Sequence, residues 1–223
     1  MKNIIIFGAG LHSLTCIDAI EQQQRFKIIG IIDSQKEIGS SHEGYPVLGR
    51  QEDLVSIARK HSVTAGFIAI GDNWARKSIS NEVLKLLPKF NFVNVIHPTA
   101  VFGKNVKLGK GTFVGAQCFI SSHSKIGDYC LIHQKATLGL HNLIEDFSSI
   151  SVGSITGGKV TVRKYSAITL GVIIHSRLEV GPHTVVGSGS IVTKSLPSMS
   201  ICLGQPARVV RSRKEGEPYL KSG

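Results

Sequence analysis

Histidine gives this chain its main capacity for proton transfer near neutral pH, with nine such residues in the sequence. A neutral imidazole has an ordinary pKa of about 6.5 and can accept the proton of an attacking amine or hydroxyl group. His123, His141 and Lys159 follow one another at intervals of eighteen residues. Composition alone does not show which histidine could be catalytic. The spacing of eighteen residues becomes informative if the structure of the chain repeats with the same period.

A second set of residues could bind a phosphate group. The sequence FGAGLHS places Gly8 and Gly10 after an apolar segment and before a helical pattern, so backbone N–H groups could approach a diphosphate there. Ser13 stands where the dinucleotide-binding pattern has its third glycine, so a turn without a ligand is the alternative interpretation. Asp72, together with Asn73, could either contact a ligand or cap the helix that follows.

The composition limits the classes of partner. A net charge of +11 favours anionic partners, which include nucleic acid, phosphorylated cofactors and sugar nucleotides. Aromatic residues make up 6% of the chain and do not interleave with basic stretches, so we expect no nucleic-acid binding. The first apolar run is too short for a secretory signal or a membrane span, and we expect a cytoplasmic protein without membrane contact. The four cysteines are widely scattered, so we expect packing residues rather than disulfides or a metal site.

Residues 1–94 alternate short apolar segments with helical patterns. Strands separated by helices predict an α/β domain with a small, Rossmann-like parallel sheet. The predicted strands cover residues 3–7, 26–33, 64–70 and 90–96, and the predicted helices cover residues 13–23, 51–61 and 75–87.

From residue 95 onward the hydrophobic period is six. Every sixth residue from Ile96 to Val192 is Ile, Leu, Val or Phe, except Thr156. Three six-residue sides close a triangular coil of eighteen residues, so residues 95–223 are predicted to form a parallel β-helix with a C-terminal tail. Residues eighteen apart then share a corner. Glycines that follow the aliphatic positions, such as Gly103 and Gly187, are expected to form these corners by adopting positive φ.

These features together resemble the hexapeptide-repeat acyltransferases, whose β-helix is left-handed, and in particular the branch of sialic acid O-acetyltransferases and nucleotide-amino-sugar N-acetyltransferases. The resemblance rests on the repeat and on the segments IIIFGAGLHS, YPVLG, IAIGDNWAR, VIHPTAVFG and ICLGQPARVVR. It implies a nucleotide-sugar-binding domain in residues 1–94, an acyltransferase domain in residues 95–223, acetyl-CoA as co-substrate and a homotrimer. The implied reaction is N-acetylation of a nucleotide-linked amino sugar. O-acetylation of a sialic acid or similar sugar and a non-catalytic binding scaffold are the alternatives.

The resemblance also selects catalytic residues. His141 is the predicted general base, and Asn142 replaces the acidic residue that usually follows it and could orient the ring by a hydrogen bond. Glu145 or Asp146 could supply the missing charge. Ser149 stands where the family has a second histidine.

Binding residues are implied in the same way. The nucleotide sugar is expected to contact His12 and Asp33, with Gly8, Gly10 and Asp72 nearby. Backbone N–H groups of Gly153 and Gly171 are expected to hold the thioester oxygen, and Arg208 is expected to pair with a phosphate of acetyl-CoA. The remaining predicted contacts to acetyl-CoA are Lys159, Gly187 and Gly189, although plain corner geometry would also explain the glycines.

Overall fold

The structure is a computed structural model that describes residues 1–220. Its N-terminal part is a sheet in the order β3-β4-β2-β1-β5-β6, in which β3 and β4 pair antiparallel and the other neighbours pair parallel. The strands are β1 (Lys2–Phe7), β2 (Phe26–Ile32), β3 (Ser41–His42), β4 (Tyr45–Gly49), β5 (Ala65–Ile68) and β6 (Asn91–Phe92). The helices are α1 (Leu11–Gln23), α2 (Leu54–Lys60), which follows a 3₁₀ turn at Gln51–Asp53, and α3 (Asn73–Leu86).

The predicted α/β class is confirmed, with two differences. The hairpin of β3 and β4 was not predicted, and it adds two strands beside β2. The strand predicted for residues 90–96 is wrong as a single element, because β6 ends at Phe92 and the first β-helix strand begins at Val95. No helix within residues 1–220 has the length and apolarity needed to cross a bilayer.

The second part of the chain is the predicted left-handed β-helix, with three faces built from two-residue strands. We call the face that packs on the α/β domain the docked face: β7 (Val95–Ile96), β10 (Phe113–Val114), β13 (Leu131–Ile132), β16 (Ser149–Ile150), β19 (Ala167–Ile168) and β22 (Val185–Val186), continued by β24 (Ser200–Gly204) and its antiparallel partner β25 (Ala207–Ser212).

The other two faces are solvent-facing in the single chain. The apolar face contains β8 (Val101–Phe102), β11 (Phe119–Ile120), β14 (Thr137–Leu138), β17 (Ile155–Thr156), β20 (Ile173–Ile174) and β23 (Ile191–Val192). The polar face contains β9 (Lys107–Leu108), β12 (Lys125–Ile126), β15 (Leu143–Ile144), β18 (Thr161–Val162) and β21 (Glu179–Val180).

The six-residue series forms the core of the β-helix, as predicted. The second residue of each strand points inward, and those from Val114 onward are almost wholly buried. Each such aliphatic side chain contributes about 1.5–3 kcal/mol when it leaves water. The exception in the series, Thr156, is also buried, and its hydroxyl accepts a hydrogen bond from the Asn142 side-chain amide.

The residues with positive φ at the corners are not the ones that were predicted. Positive φ belongs to the residue before each inward small residue, and at one corner these are His123, His141 and Lys159 with φ of 63°, 58° and 59°. The glycine prediction is therefore wrong: Gly103 and Gly187 do not have positive φ. A Cβ atom at Gly103 would overlap the backbone of Ser122 in the next coil, so close approach of the coils is what requires glycine there.

From β7 to β22, the outward residues of the docked face are buried. Its outward residues Val95, Phe113 and Leu131 are fully buried and share a core with α1 and the sheet. Further along, the Asn73 side-chain amide donates to the Ser166 carbonyl at 3.0 Å. The α/β domain thus covers this side of the triangular column, whereas most of β25 is exposed.

Candidate functional site

We call the edge of the α/β sheet at the carboxyl ends of β1 and β5 the crevice. The chain proceeds from β1 to β2 and β4 on one side and then crosses to β5 and β6 on the other, and ligands of open α/β sheets bind at such a reversal. Gly8 lies there with φ of 102°, and a Cβ atom on it would stand 2.7 Å from Ile70 Cγ1. Gly10 is exposed at the N-terminus of α1 and has open space above it, which suits a phosphate.

Two carboxylates border this crevice, and both are already bound to backbone amides. Asp33 accepts hydrogen bonds from the N–H groups of Ala9, Gln35 and Lys36 at 2.7–2.9 Å. Burial opposes ionisation of Asp33, but these donors hold its pKa below the usual value, so it anchors the glycine loop as an anion. Asp72 is the N-cap of α3 and accepts from the N–H groups of Trp74 and Ala75, both at 3.0 Å.

His12 is the second residue of α1, and its ring lies between the two domains. Its ring centroid is 5.0 Å from that of His133 and 5.5 Å from that of Phe113, and its Nε2 is 3.3 Å from the Cys16 sulfur. Burial is the main cause that lowers the pKa of both histidines, to about 4 for His133, so both rings are neutral at pH 7. The sequence does not single out His133, because the six-residue period alone does not show which face is docked.

His141 is exposed at the corner between the apolar and polar faces, which we call the histidine corner. Its ring stacks on His123 with centroids 4.9 Å apart and planes within 9°. The backbone N–H of His141 donates to the Ser122 carbonyl at 3.1 Å, and the backbone N–H of Lys159 donates to the Leu140 carbonyl at 2.7 Å. The predicted column of His123, His141 and Lys159 in successive coils is therefore present.

The structure does not bring His141 and the crevice together within one chain. Of the three corners, the histidine corner is the one that does not border the docked face. Its imidazole therefore lies across the width of the β-helix from the α/β domain.

Asn142 cannot orient His141 as predicted, because it points into the column. Its side chain is buried, donates to Thr156 and accepts from the Val160 N–H at 2.7 Å. The predicted substitutes for the missing acid are also engaged elsewhere: Glu145 pairs with Arg163 at 2.8 Å, and Asp146 lies 3.5 Å from Lys164.

The glycines predicted to contact acetyl-CoA behave in two ways. Gly153, Gly171 and Gly189 stack at the corner between the docked and apolar faces, which we call the glycine corner, and each has open space where a side chain would stand. Their N–H groups donate to carbonyls of the preceding coil at 2.8–3.1 Å, so Gly153 and Gly171 cannot supply the predicted donors to the thioester oxygen. At Gly187 the space is filled by Leu203, so a cofactor contact there is not available.

The apolar face presents a stripe of exposed hydrophobic side chains, in which Thr137 is the one polar outward residue. Its outward residues Val101, Phe119, Ile155 and Ile173 are 39–54% exposed. Leu140, Val152 and Leu170 extend the stripe at the two adjoining corners. A contiguous apolar patch of this kind marks an interaction surface.

The contacts of the remaining candidate residues do not assign them to a ligand. Arg208 is exposed on β25, and its guanidinium donates to the Ala207 carbonyl at 3.0 Å. All four cysteines are free and buried, as packing residues should be. Within residues 1–220, no three His, Cys, Asp or Glu side chains come together as a possible metal site.

The chain is similar to a protein family model and to two curated proteins. Residues 3–83 match the family model described as the PglD N-terminal domain. The chain is 28% identical over 117 residues to UDP-N-acetylbacillosamine N-acetyltransferase of Bacillus subtilis, covering 52% of each chain. It is 29% identical over 129 residues to an uncharacterised protein of Acanthamoeba polyphaga mimivirus, of which it covers 24%. The chain therefore spans about half or less of the length of these curated relatives.

Solved structures match over nearly the whole chain. A histidine-to-asparagine variant of perosamine N-acetyltransferase from Caulobacter crescentus, in complex with CoA and GDP-perosamine, is 27% identical with a TM-score of 0.89 and coverage of 95% and 98%. The acetyltransferase domain of PglB from Neisseria gonorrhoeae, in complex with acetyl coenzyme A, is 23% identical with a TM-score of 0.85 and coverage of 94% and 99%. The second of these supports the fold alone.

The His12–His133 pair between the two domains predicts an acid-sensitive fold. An unfolded histidine has a pKa of about 6.5, whereas that of folded His133 is lowered to about 4. Between these values only the unfolded chain binds the proton, so the free energy of unfolding should fall as the pH falls, by about 3 kcal/mol over the window. Urea unfolding at pH 7, 6 and 5 measures this.

In the variant His133→Gln, the slope of the free energy of unfolding against pH should be smaller by about 1 kcal/mol per pH unit near pH 5, because one titrating group has been removed. The exposed His123→Gln is the matched control and should keep the wild-type slope. An unchanged slope in His133→Gln would contradict the placement of His133.

Proposed function

We propose that this chain, which belongs to the hexapeptide-repeat family of sugar acetyltransferases, transfers an acetyl group from acetyl-CoA to the amino group of a nucleotide-linked sugar. The observation that carries this proposal is the exposed imidazole of His141 beside an uncovered apolar face, on a fold shared with an enzyme crystallised with CoA and GDP-perosamine. Because acetyl-CoA is available in the cytoplasm, we place the activity there.

The proposed chemistry is direct transfer. The amine nitrogen attacks the thioester carbon, a new C–N bond forms, and His141 takes the proton that the nitrogen loses. Collapse of the tetrahedral intermediate breaks the C–S bond, and the imidazolium returns the proton to the thiolate of CoA. Holding both substrates together supplies much of the rate enhancement.

A neighbouring chain completes the proposed site. The apolar face is bordered by the histidine corner on one side and the glycine corner on the other. In a cyclic homotrimer built on this face, the histidine corner of one chain meets the glycine corner of the next, beside the next chain's α/β domain. His141 of one chain would then act on the sugar held in the crevice of its neighbour.

The same arrangement suggests how acetyl-CoA is bound. The open space at Gly153, Gly171 and Gly189 forms a shallow groove at the glycine corner, suited to the thin pantetheine arm. Lys159 next to His141 and Arg208 on β25 are exposed cations that we assign to the phosphates. Gly8, Gly10, Asp33 and Asp72 are assigned to the nucleotide.

Replacement of His141 by alanine tests the proposed chemistry. Free-thiol release from acetyl-CoA in the presence of a nucleotide-linked amino sugar should fall by about 10²–10⁴-fold, because the base is lost. The KM for the sugar should hardly change. His123→Ala, at the same corner one coil earlier, is the matched control and should retain most of the activity.

An His141→Ala variant within a few-fold of the wild type would contradict the assignment of the base. A wild type that releases thiol only with hydroxyl acceptors would indicate O-acetylation. A wild type silent with every acceptor, yet able to bind nucleotide, would indicate a binding scaffold.

Oligomer formation is expected to depend on the apolar face. Ile155→Lys places a charge at the centre of the exposed stripe and should convert the trimer to a monomer, since burying an unpaired ammonium is costly. Sedimentation equilibrium measures the mass. Leu143→Lys, an outward leucine on the polar face, is the control and should stay trimeric. A trimeric Ile155→Lys would show that the chains associate through another surface.

A further inference from the structure

The C-terminal segment returns to the α/β domain after the β-helix has ended. Arg213 is buried and donates to the His183 carbonyl at 3.1 Å, while Arg211 pairs with Glu217 at 2.6 Å. Gly216 has φ of 71°, and a Cβ atom on it would stand 2.9 Å from Trp74 Nε1 in the first turn of α3. These contacts direct the following residues towards the loop between β5 and α3.

Tyr219 bridges the docked face and this loop. Its hydroxyl donates to the Gly71 carbonyl at 3.1 Å and is 3.1 Å from the Ser149 hydroxyl, which can donate to it in turn. Burial raises the pKa of Tyr219, so the phenol keeps its proton to donate. Leu220 completes the contact, since a Cβ atom at Gly71 would stand 3.0 Å from its Cδ1.

A second group, the guanidinium of Arg76, also holds the loop between β5 and α3. Arg76 is fully buried and donates to the carbonyls of Ile70 and Gly71 at 3.1 and 2.8 Å. The same guanidinium donates to the carbonyls of Tyr129 and Phe147 in the β-helix. The Gly71 carbonyl thus accepts from both Arg76 and Tyr219, and the loop at the edge of the crevice is held by groups anchored in the β-helix.

We propose that Tyr219 is a positioning residue for nucleotide binding, which holds the Gly71–Asp72 loop in the conformation that borders the crevice at the carboxyl ends of β1 and β5. The C-terminal segment therefore supports the binding site for the nucleotide sugar, although it follows the acyltransferase repeats in sequence. This inference rests on the proposed function for the identity of the ligand, but the geometry of the loop does not depend on acetyl transfer.

Tyr219→Phe removes the hydroxyl and leaves the ring, so it tests the bridge with little risk to folding. In the ligand-free protein, amide hydrogen exchange of the peptide that covers residues 69–76 should become faster, because Gly71 loses one of its two donors. Calorimetric titration with UDP and with GDP should show about five-fold weaker binding of whichever nucleotide the wild type binds. In the steady state, KM for the nucleotide sugar should rise while kcat and KM for acetyl-CoA stay the same.

Two further variants separate a positioning role from general stability. Ser149→Ala removes the other partner of the hydroxyl and should shift exchange and affinity in the same direction as Tyr219→Phe. Tyr45→Phe removes a tyrosine hydroxyl that donates to Glu21 at 2.7 Å at the far edge of the sheet, and it should change neither measurement.

Three results would overturn the proposal. Unchanged exchange at residues 69–76 in Tyr219→Phe would show that the hydroxyl does not hold the loop. Faster exchange with unchanged nucleotide affinity, or with no nucleotide binding even in the wild type, would show that the held loop does not serve binding. Tighter binding in the variant would show that the segment competes with the ligand. Faster exchange and weaker nucleotide binding without any acetyl transfer would leave this inference standing and contradict the proposed function alone.

Discussion

The structure depends on one constraint, which is that an inward aliphatic side chain must recur every six residues so that successive coils stack in register. That stack fixes three flat faces, and the α/β domain covers most of one of them, with Val95, Phe113 and Leu131 wholly buried beneath it. Once one face is occupied, the position of every corner is determined. His141 lies on the corner opposite the docked face, and the glycine corner lies at the border between the docked face and the apolar face.

This geometry separates the two halves of the proposed site within a single chain. The crevice at β1 and β5 has the glycines, the ordered carboxylates and the helix N-terminus that suit a nucleotide diphosphate. The histidine corner has the proposed base and a nearby cation. The exposed apolar face lies between the histidine corner and the glycine corner, so the proposed association through this face would account for both the exposed hydrophobic stripe and the separation.

The fold could be predicted from the sequence, because the six-residue period and the alternation of strands and helices depend on local hydrophobic patterns. The direction of individual side chains could not. Asn142 follows the predicted base but occupies an inward position, where its amide pairs with Thr156, the one polar member of the aliphatic series. His12 and His133 are 121 positions apart, and their contact depends on which face the α/β domain covers. The bridge from Tyr219 to Gly71 likewise follows only from the path of the folded chain.

A complementation assay tests the central claim, that one chain's His141 serves its neighbour's crevice, more directly than any other measurement. In the proposed homotrimer, His141→Ala retains the crevice and Asp33→Ala retains the proposed base, and each variant alone should be nearly inactive. Mixed trimers, assembled from equal amounts of the two, should recover about a quarter of the wild-type rate, since that fraction of shared sites receives both intact halves. A mixture no more active than the two variants alone would contradict a site shared between chains.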